Sequence, residues 1–222
     1  MDRPVLRIFF FGDSICFGQG VSPHLTWVSR LAQGLHDRFG DRYDLLIQNP
    51  SVNGNTTRMA LERMPYDVQS HSPHILYVQF GMNDCNVWES DRGRPRTSPA
   101  AFAANLAEIV DRGKAFGARE IILGTNHPTT RTTAKLPSAD YTYEHGNRSY
   151  NAITRKVAVQ KNTRLADAET AFDVNVKQGR SGHADLVLAD GLHLSRRGHD
   201  LYLLNRLPIL IEAVEAISEK PL

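Results

Sequence analysis

The chain has two cysteines in 222 residues, too few for a disulfide framework to stand in for a hydrophobic core. It has no apolar run approaching the about eighteen residues of a membrane span. Neither sign of charge dominates: 26 lysines and arginines against 24 aspartates and glutamates leave a formal charge of +2. That balance argues against nucleic acid or an anionic membrane as partner. Three glycine patterns are also missing. Gly18 and Gly20 lack a third glycine at the spacing of a dinucleotide fingerprint, and no phosphate loop ending Gly-Lys-Ser/Thr occurs. The Gly-x-Ser-x-Gly elbow of the α/β-hydrolases is absent as well. No basic segment followed by a long apolar stretch and a cleavage site opens the chain, so a cytoplasmic location is expected.

What is present suits a soluble globular protein. Hydrophobic residues make up 41% and charged residues 23%, and the length fits one domain spanning residues 1–222. Strand-like runs alternate with helical patterns. The runs are Val5 to Phe10, Leu45 to Ile47, Ile75 to Phe80, Glu120 to Gly124 and Thr163 to Asp167. Between them, Ser22-Pro23 and Ser98-Pro99 read as a cap followed by a first-turn proline. Trp27, Val28, Leu31, Leu35 and Phe39 then recur at helical spacing up to Gly40. A short helix is expected from Thr57 to before Pro65, another around Tyr150 to Val159, and a last one from Ser195 toward Ile217, bent or interrupted at Pro208. The alternation predicts an α/β fold: three α/β/α layers around a central, mostly parallel five-stranded sheet, flavodoxin-like.

Chemistry-bearing residues gather after the strands. Phe11-Gly12-Asp13-Ser14 follows the first run, where open parallel sheets form their ligand crevices. Ser14 is there a candidate nucleophile, or alternatively a helix cap. A serine hydroxyl needs a base, usually a histidine held by a carboxylate. In Asp190-Gly191-Leu192-His193 one turn can set the aspartate on one imidazole nitrogen and leave the other for Ser14; the same pair also suits a surface turn. Asn53-Gly54-Asn55 follows the second run and Gly81-Met82-Asn83-Asp84 the third. A backbone N–H from Gly54 and the amide of Asn83 are the donors an oxyanion hole requires, and both residues equally suit turns.

These four blocks, in this order from Gly12 to His193, resemble the SGNH hydrolases, the GDSL family of esterases and lipases. The resemblance implies a serine esterase with Ser14 as nucleophile, His193 as general base and acid, and Asp190 as its orienting carboxylate. It also implies an oxyanion hole from the backbone N–H groups of Ser14 and Gly54 with the Asn83 side chain, an ester as the small-molecule partner, and no metal or organic cofactor. Two departures stand out. Ser14-Ile15-Cys16 replaces the family's usual Ser-Leu-Thr or Ser-Ile-Thr, and Asn53-Gly54-Asn55 replaces Ser-Gly-Asp or Ala-Gly-Glu.

Two long loops follow strand ends and are expected to border the crevice. Residues 85–97 carry Trp88 and Arg92, Arg94 and Arg96, and residues 125–146 carry His127 and Tyr141. Trp88 and Tyr141 are read as pocket walls, the arginines as solvated surface. Cys16 and Cys85 lie just beyond two of the blocks and could approach one another; as two small buried thiols they need no role. The polar loops favour short acyl groups, such as acetyl, on a polar alcohol. Two other readings compete: a metal-dependent hydrolase using His183, Asp185, Asp190 and His193, and an α/β protein that binds a small molecule without turning it over.

Overall fold

A computed structural model describes residues 3–218. The chain runs β1 (Val5–Gly12), α1 (Ser14–Phe17), α2 (Trp27–Phe39), β2 (Asp44–Gln48), α3 (Thr57–Asp67), β3 (Ile75–Gln79) and α4 (Pro99–Ala115). It continues with β4 (Glu120–Gly124), α5 (Tyr143–Lys161), β5 (Arg164–Ala166), α6 (Ala168–Lys177), α7 (His183–Leu186) and α8 (Arg196–Ser218). All strand pairs are parallel, in the order β2-β1-β3-β4-β5. The expected three-layer sheet is therefore present, and wholly parallel. Helices α2 and α8 pack together on one side, while α3, α4 and α5 pack in series. Among the described residues no helix is long and apolar enough to cross a membrane.

Burial follows strand position. β3 lies between two neighbours and under both helical layers, and all five of its residues are buried. β2 forms an edge and leaves Leu46 exposed. Chain direction reverses its progress across the sheet between β1 and β3, the switch point at which a crevice opens past the strands' carboxyl ends. The Ser14 and Asn83 blocks leave the sheet there.

Local signals misplaced some helix ends. Ser22-Pro23 opens only a 3₁₀ turn, Pro23–Leu25, and α2 begins after Thr26, whose side chain accepts from Ser29 N. α3 continues past Pro65 to Asp67, because a proline so near the end forfeits only a late hydrogen bond. α8 likewise runs unbroken through Pro208, its far half held by buried Leu210, Ala213, Val214 and Ile217. The fifth helix starts earlier than its periodicity indicated, at Tyr143, capped by Thr142. Helices α6 and α7 carried no sequence signal that was read.

The largest surprise in the core is Arg206. It lies on α8 and is fully buried, with no carboxylate in salt-bridge contact among the described residues. Its Nε–H donates to Tyr77 Oη at 2.9 Å and its other nitrogens to Asn205 Oδ1, Gln79 Oε1 and the Thr125 carbonyl. The guanidinium carbon sits 3.6 Å from the ring centroid of Tyr202, with the Trp27 ring 5.5 Å away. Oriented dipoles and π faces thus replace water around the charge. Arg206→Ala is expected to cost about 3 kcal/mol or more, since it opens a cavity and strips the Thr125 carbonyl, Tyr77 Oη and Gln79 Oε1 of a charged donor. Urea unfolding would measure this, and a loss below about 1 kcal/mol would show the stack to be dispensable.

Candidate active site

Ser14 owes its position to crowding at the end of β1. A Cβ on Gly12 would come within 2.6 Å of Cys16 Sγ and 2.8 Å of the Gln79 carbonyl oxygen, so only glycine lets the chain turn there. Asp13 then caps α1, its Oδ1 accepting from Ile15 N at 3.0 Å. Ser14, the first helical residue, is buried. The alternative reading of Ser14 as the cap is thereby corrected: Asp13 is the cap, and the serine hydroxyl is free for another partner.

That partner is His193. Its Nε2 lies 3.0 Å from Ser14 Oγ, and its Nδ1 lies 2.6 Å from Asp190 Oδ2. A carboxylate only accepts, so Nδ1 carries the proton, Nε2 offers a lone pair, and the Ser14 O–H donates to it. The second oxygen of Asp190 accepts from the backbone N–H groups of Leu192 at 2.8 Å and His193 at 3.0 Å. Partial burial pulls the Asp190 pKa up, but the hydrogen bonds from His193 and these two amides outweigh it and leave the carboxyl below its ordinary range.

The other two blocks meet the end of β1 as well: Asn83 reaches Asp13, and Val52 N–H donates to the Gly12 carbonyl at 3.1 Å. Gly54 adopts φ +77° with open space where a Cβ would stand. Backbone conformation, then, demands glycine here. Arg63 fastens this loop: it donates to Asn55 Oδ1, to the Pro50 carbonyl and to the Gly12 carbonyl, and its guanidinium covers the Phe11 ring at 4.4 Å. Asp84 anchors α3, accepting from Thr57 N at 2.9 Å and Thr57 Oγ1 at 2.6 Å. Asn83 Nδ2 donates to Asp13 Oδ2 at 3.3 Å, which leaves its second N–H uncommitted. The amides of Ser14 and Gly54 have no acceptor among the described residues. Through Asn83 on Asp13 and Val52 N–H on the Gly12 carbonyl, both blocks are tied to the residues that precede Ser14, each with an N–H donor left uncommitted.

A sequence profile of the GDSL-like lipase/acylhydrolase family matches residues 10–201, the stretch that carries all of these groups. The chain belongs to that family. Among curated proteins it is 28% identical over 199 residues to an esterase, TesA, of Pseudomonas aeruginosa, covering 90% of this chain and 85% of that one. It is 26% identical to an arylesterase of Vibrio mimicus over 55% of this chain and 56% of the other. Its fold matches the crystal structure of TesA with a TM-score of 0.69 at 23% identity, covering 93% and 98% of the two chains. An acetyl xylan esterase structure matches at 0.72 with 20% identity, covering 92% and 100%. As a GDSL-like acylhydrolase the protein is a hydrolase of the esterase type.

Other expectations fare unevenly. The metal quartet does not assemble: His183 turns toward Asp173, 3.5 Å away, and Asp185 caps its own short helix by accepting from Gly182 N. Among the described residues no group of three or more His, Cys, Asp or Glu has a metal-binding arrangement. Cys16 and Cys85 are both buried free thiols. Arg96 is not simple solvated surface. It donates to the Gly54 carbonyl at 3.1 Å and lies 4.2 Å over the Trp88 ring, so half-exposed Trp88 is tied to the Gly54 loop. Tyr141 borders a separate hollow of about 260 Å³ with Pro95, Pro99, Gly146 and Tyr150. Arg63, Asp84 and Arg131 were not singled out as supports, and only their contacts across distant segments identify them.

One electrostatic feature is testable. Burial pushes the Asp13 carboxyl up to about 7, with the nearby Asp84 adding to the rise and hydrogen bonds from Ile15 and Asn83 opposing it. A carboxyl whose folded pKa lies above its unfolded value favours the folded state fully only below about pH 4. That contribution is lost as pH rises through 7. Asp13→Asn keeps a capping oxygen and removes the titration. Its unfolding free energy relative to the parent is expected to improve between pH 4 and pH 8 by on the order of a few kcal/mol. Parallel stability-against-pH curves for the two proteins would refute the assignment.

Proposed function

We propose that this protein hydrolyses carboxylic esters through an acyl intermediate on Ser14. The observation that carries the reading is the chain Ser14 Oγ–His193 Nε2–Asp190 at 3.0 and 2.6 Å, formed by residues 179 positions apart. His193 takes the hydroxyl proton as Ser14 attacks the ester carbonyl, and Asp190 holds the ring in the required tautomer and stabilises its cation. The uncommitted N–H groups of Ser14, Gly54 and Asn83 receive the oxygen on which negative charge develops. His193 returns the proton to the departing alcohol. Water, activated by the same nitrogen, then releases the acid.

The substrate reading is a short acyl group, such as acetyl, on a polar alcohol. Its support is the rim: Arg96 beside Gly54 and Arg131, whose Nε–H donates to the Asp190 carbonyl, flank the site with guanidinium groups. Trp88, held under Arg96, supplies an apolar face at the mouth, and Tyr141 a wall of the neighbouring hollow.

Hydrolysis of p-nitrophenyl acetate, butyrate and octanoate tests both parts. Turnover is expected to be highest on acetate and to fall with chain length. Ser14→Ala and His193→Ala should each lower kcat by roughly 10⁴ or more, because the two act as a unit. Asn83→Ala should lower it by about 10²–10³, and Asp190→Ala less than His193→Ala. Near-normal turnover in Ser14→Ala would end the acyl-serine mechanism, and a preference for octanoate would end the short-acyl reading.

A further inference from the structure

We propose that His127 is a positioning residue for the turn bearing Asp190 and His193, acting through the backbone carbonyl of Leu192. The proposal rests on the roles given above to Ser14, His193 and Asp190. The turn has few supports of its own. It lies between α7 and α8 and is braced internally by the Asp190 carboxylate and by Leu188 N donating to the His193 carbonyl at 2.7 Å. Its place relative to the sheet comes from the segment after β4. Arg131 Nε–H donates to the Asp190 carbonyl at 2.9 Å, Thr130 N–H to the Gly191 carbonyl at 3.0 Å, and His127 Nε2 reaches the Leu192 carbonyl at 2.8 Å. Three consecutive carbonyls of the turn are thus gripped by three residues of one loop. The fit is close: Gly191 has φ +73°, and a Cβ there would stand 2.5 Å from Thr130 Oγ1.

Of the three, His127 is the one tied to the core. Arg131 and Thr130 are exposed, whereas His127 is fully buried between the rings of Phe172 and Tyr202, with centroids 5.3 and 5.5 Å away. Its tautomer follows from its partners. A carbonyl cannot donate, so Nε2 carries the proton. Nδ1, 2.9 Å from Tyr202 Oη, accepts the tyrosine's proton. Burial holds the ring neutral by lowering its pKa to about 3, which keeps Nδ1 an acceptor across the working pH range. Tyr202 Oη in turn accepts from Gln79 Nε2 at 3.1 Å. Gln79 Oε1 accepts from Tyr77 Oη at 2.6 Å, and Tyr77 Oη accepts from Arg206. Every link has a donor and an acceptor, from a buried guanidinium to the carbonyl beside His193. Such a chain fixes orientation more firmly than separate bonds.

The proposal separates from a merely space-filling histidine by one nitrogen. The amide nitrogen of glutamine overlays imidazole Nε2, whereas the shorter asparagine amide reaches only the Nδ1 position, where its oxygen can accept from Tyr202 Oη. His127→Gln therefore keeps the donor to Leu192, and His127→Asn loses it. With p-nitrophenyl acetate, His127→Asn is expected to lower kcat about 10- to 100-fold with KM within about twofold, the scale of a misplaced catalytic group. His127→Gln should retain kcat within about threefold, and thermal unfolding would show both variants folded. Equal losses in the two, wild-type kcat in His127→Asn, or a loss confined to KM would overturn the positioning role. Should His127→Asn fail to fold, His127→Gln decides alone: a folded protein with kcat down more than about thirtyfold overturns it. Ser14→Ala, assayed alongside, distinguishes the failures. Activity remaining there would refute the acyl-serine reading itself, whereas an inactive Ser14→Ala with both His127 variants fully active would refute only the role of His127.

Discussion

A guanidinium buried without a carboxylate must have its charge met by oriented dipoles, and the arrangement beneath this site follows from that requirement. Arg206 is enclosed by Tyr202, Tyr77 and Trp27 and bonded to Tyr77, Gln79 and the Thr125 carbonyl. A carboxylate partner would have neutralised it locally and ended the chain there. Neutral acceptors instead pass the hydrogen-bond polarity outward through Gln79 and Tyr202. The side chains of Arg206, Tyr77, Gln79, Tyr202 and His127 consequently donate in one direction along the chain. Reversing one member would leave a donor facing a donor in a buried space, which costs more than a bond gained at the surface returns.

The loops above this network are held mainly to one another. Arg63 joins the Gly54 loop to the end of β1, Asp84 joins the Asn83 turn to α3, and Arg96 joins the Gly54 loop to Trp88. Each joint is a charged side chain that meets a backbone group, a hydroxyl, an amide or a ring on another segment. A parallel sheet makes such joints necessary, because each strand contributes its own loop and no strand pairing continues beyond the carboxyl ends. The functional groups therefore come from separate blocks, and their relative placement depends on cross-loop hydrogen bonds rather than on shared secondary structure.

This explains which parts were legible in the sequence. The five strands were legible because a buried parallel strand is a short apolar run, and the runs at Val5, Ile75 and Glu120 stand out from their polar flanks. The proposed site residues Ser14, Gly54, Asn83, Asp190 and His193 stood out because each sits in a short block just past a strand or before the last helix. The supports were not. Arg63 and Arg96 look like ordinary surface cations on a helix and in a loop, and nothing local marks the carbonyls they reach. Arg206 falls within a helix whose apolar pattern is weak, so its burial depends on Tyr202 one turn earlier in the same helix and on aromatic rings from two other segments, Trp27 on α2 and Tyr77 on β3. Helix ends at Pro23 and Pro65 were misjudged for a related reason: a proline restricts its own backbone, but neighbouring tertiary contacts decide whether the helix starts or stops there.

Asp13 shows how the site's demands on one side chain can oppose stability. Capping α1 requires one acceptor oxygen, which asparagine or serine would also supply. Holding Asn83 by its nitrogen requires a second acceptor on the same side chain, and only a carboxylate has two. Once protonated, the same group must place a donor somewhere, and against Asn83 Nδ2 that donor faces another. The amide would then favour turning its oxygen inward and moving its nitrogen away from the approach to Ser14. Ionised Asp13 is thus the form that matches the observed Asn83 orientation, while burial beside Asp84 makes that form expensive and lifts its pKa to about 7. The proposed oxyanion donor is thus oriented by a charge that its buried surroundings disfavour.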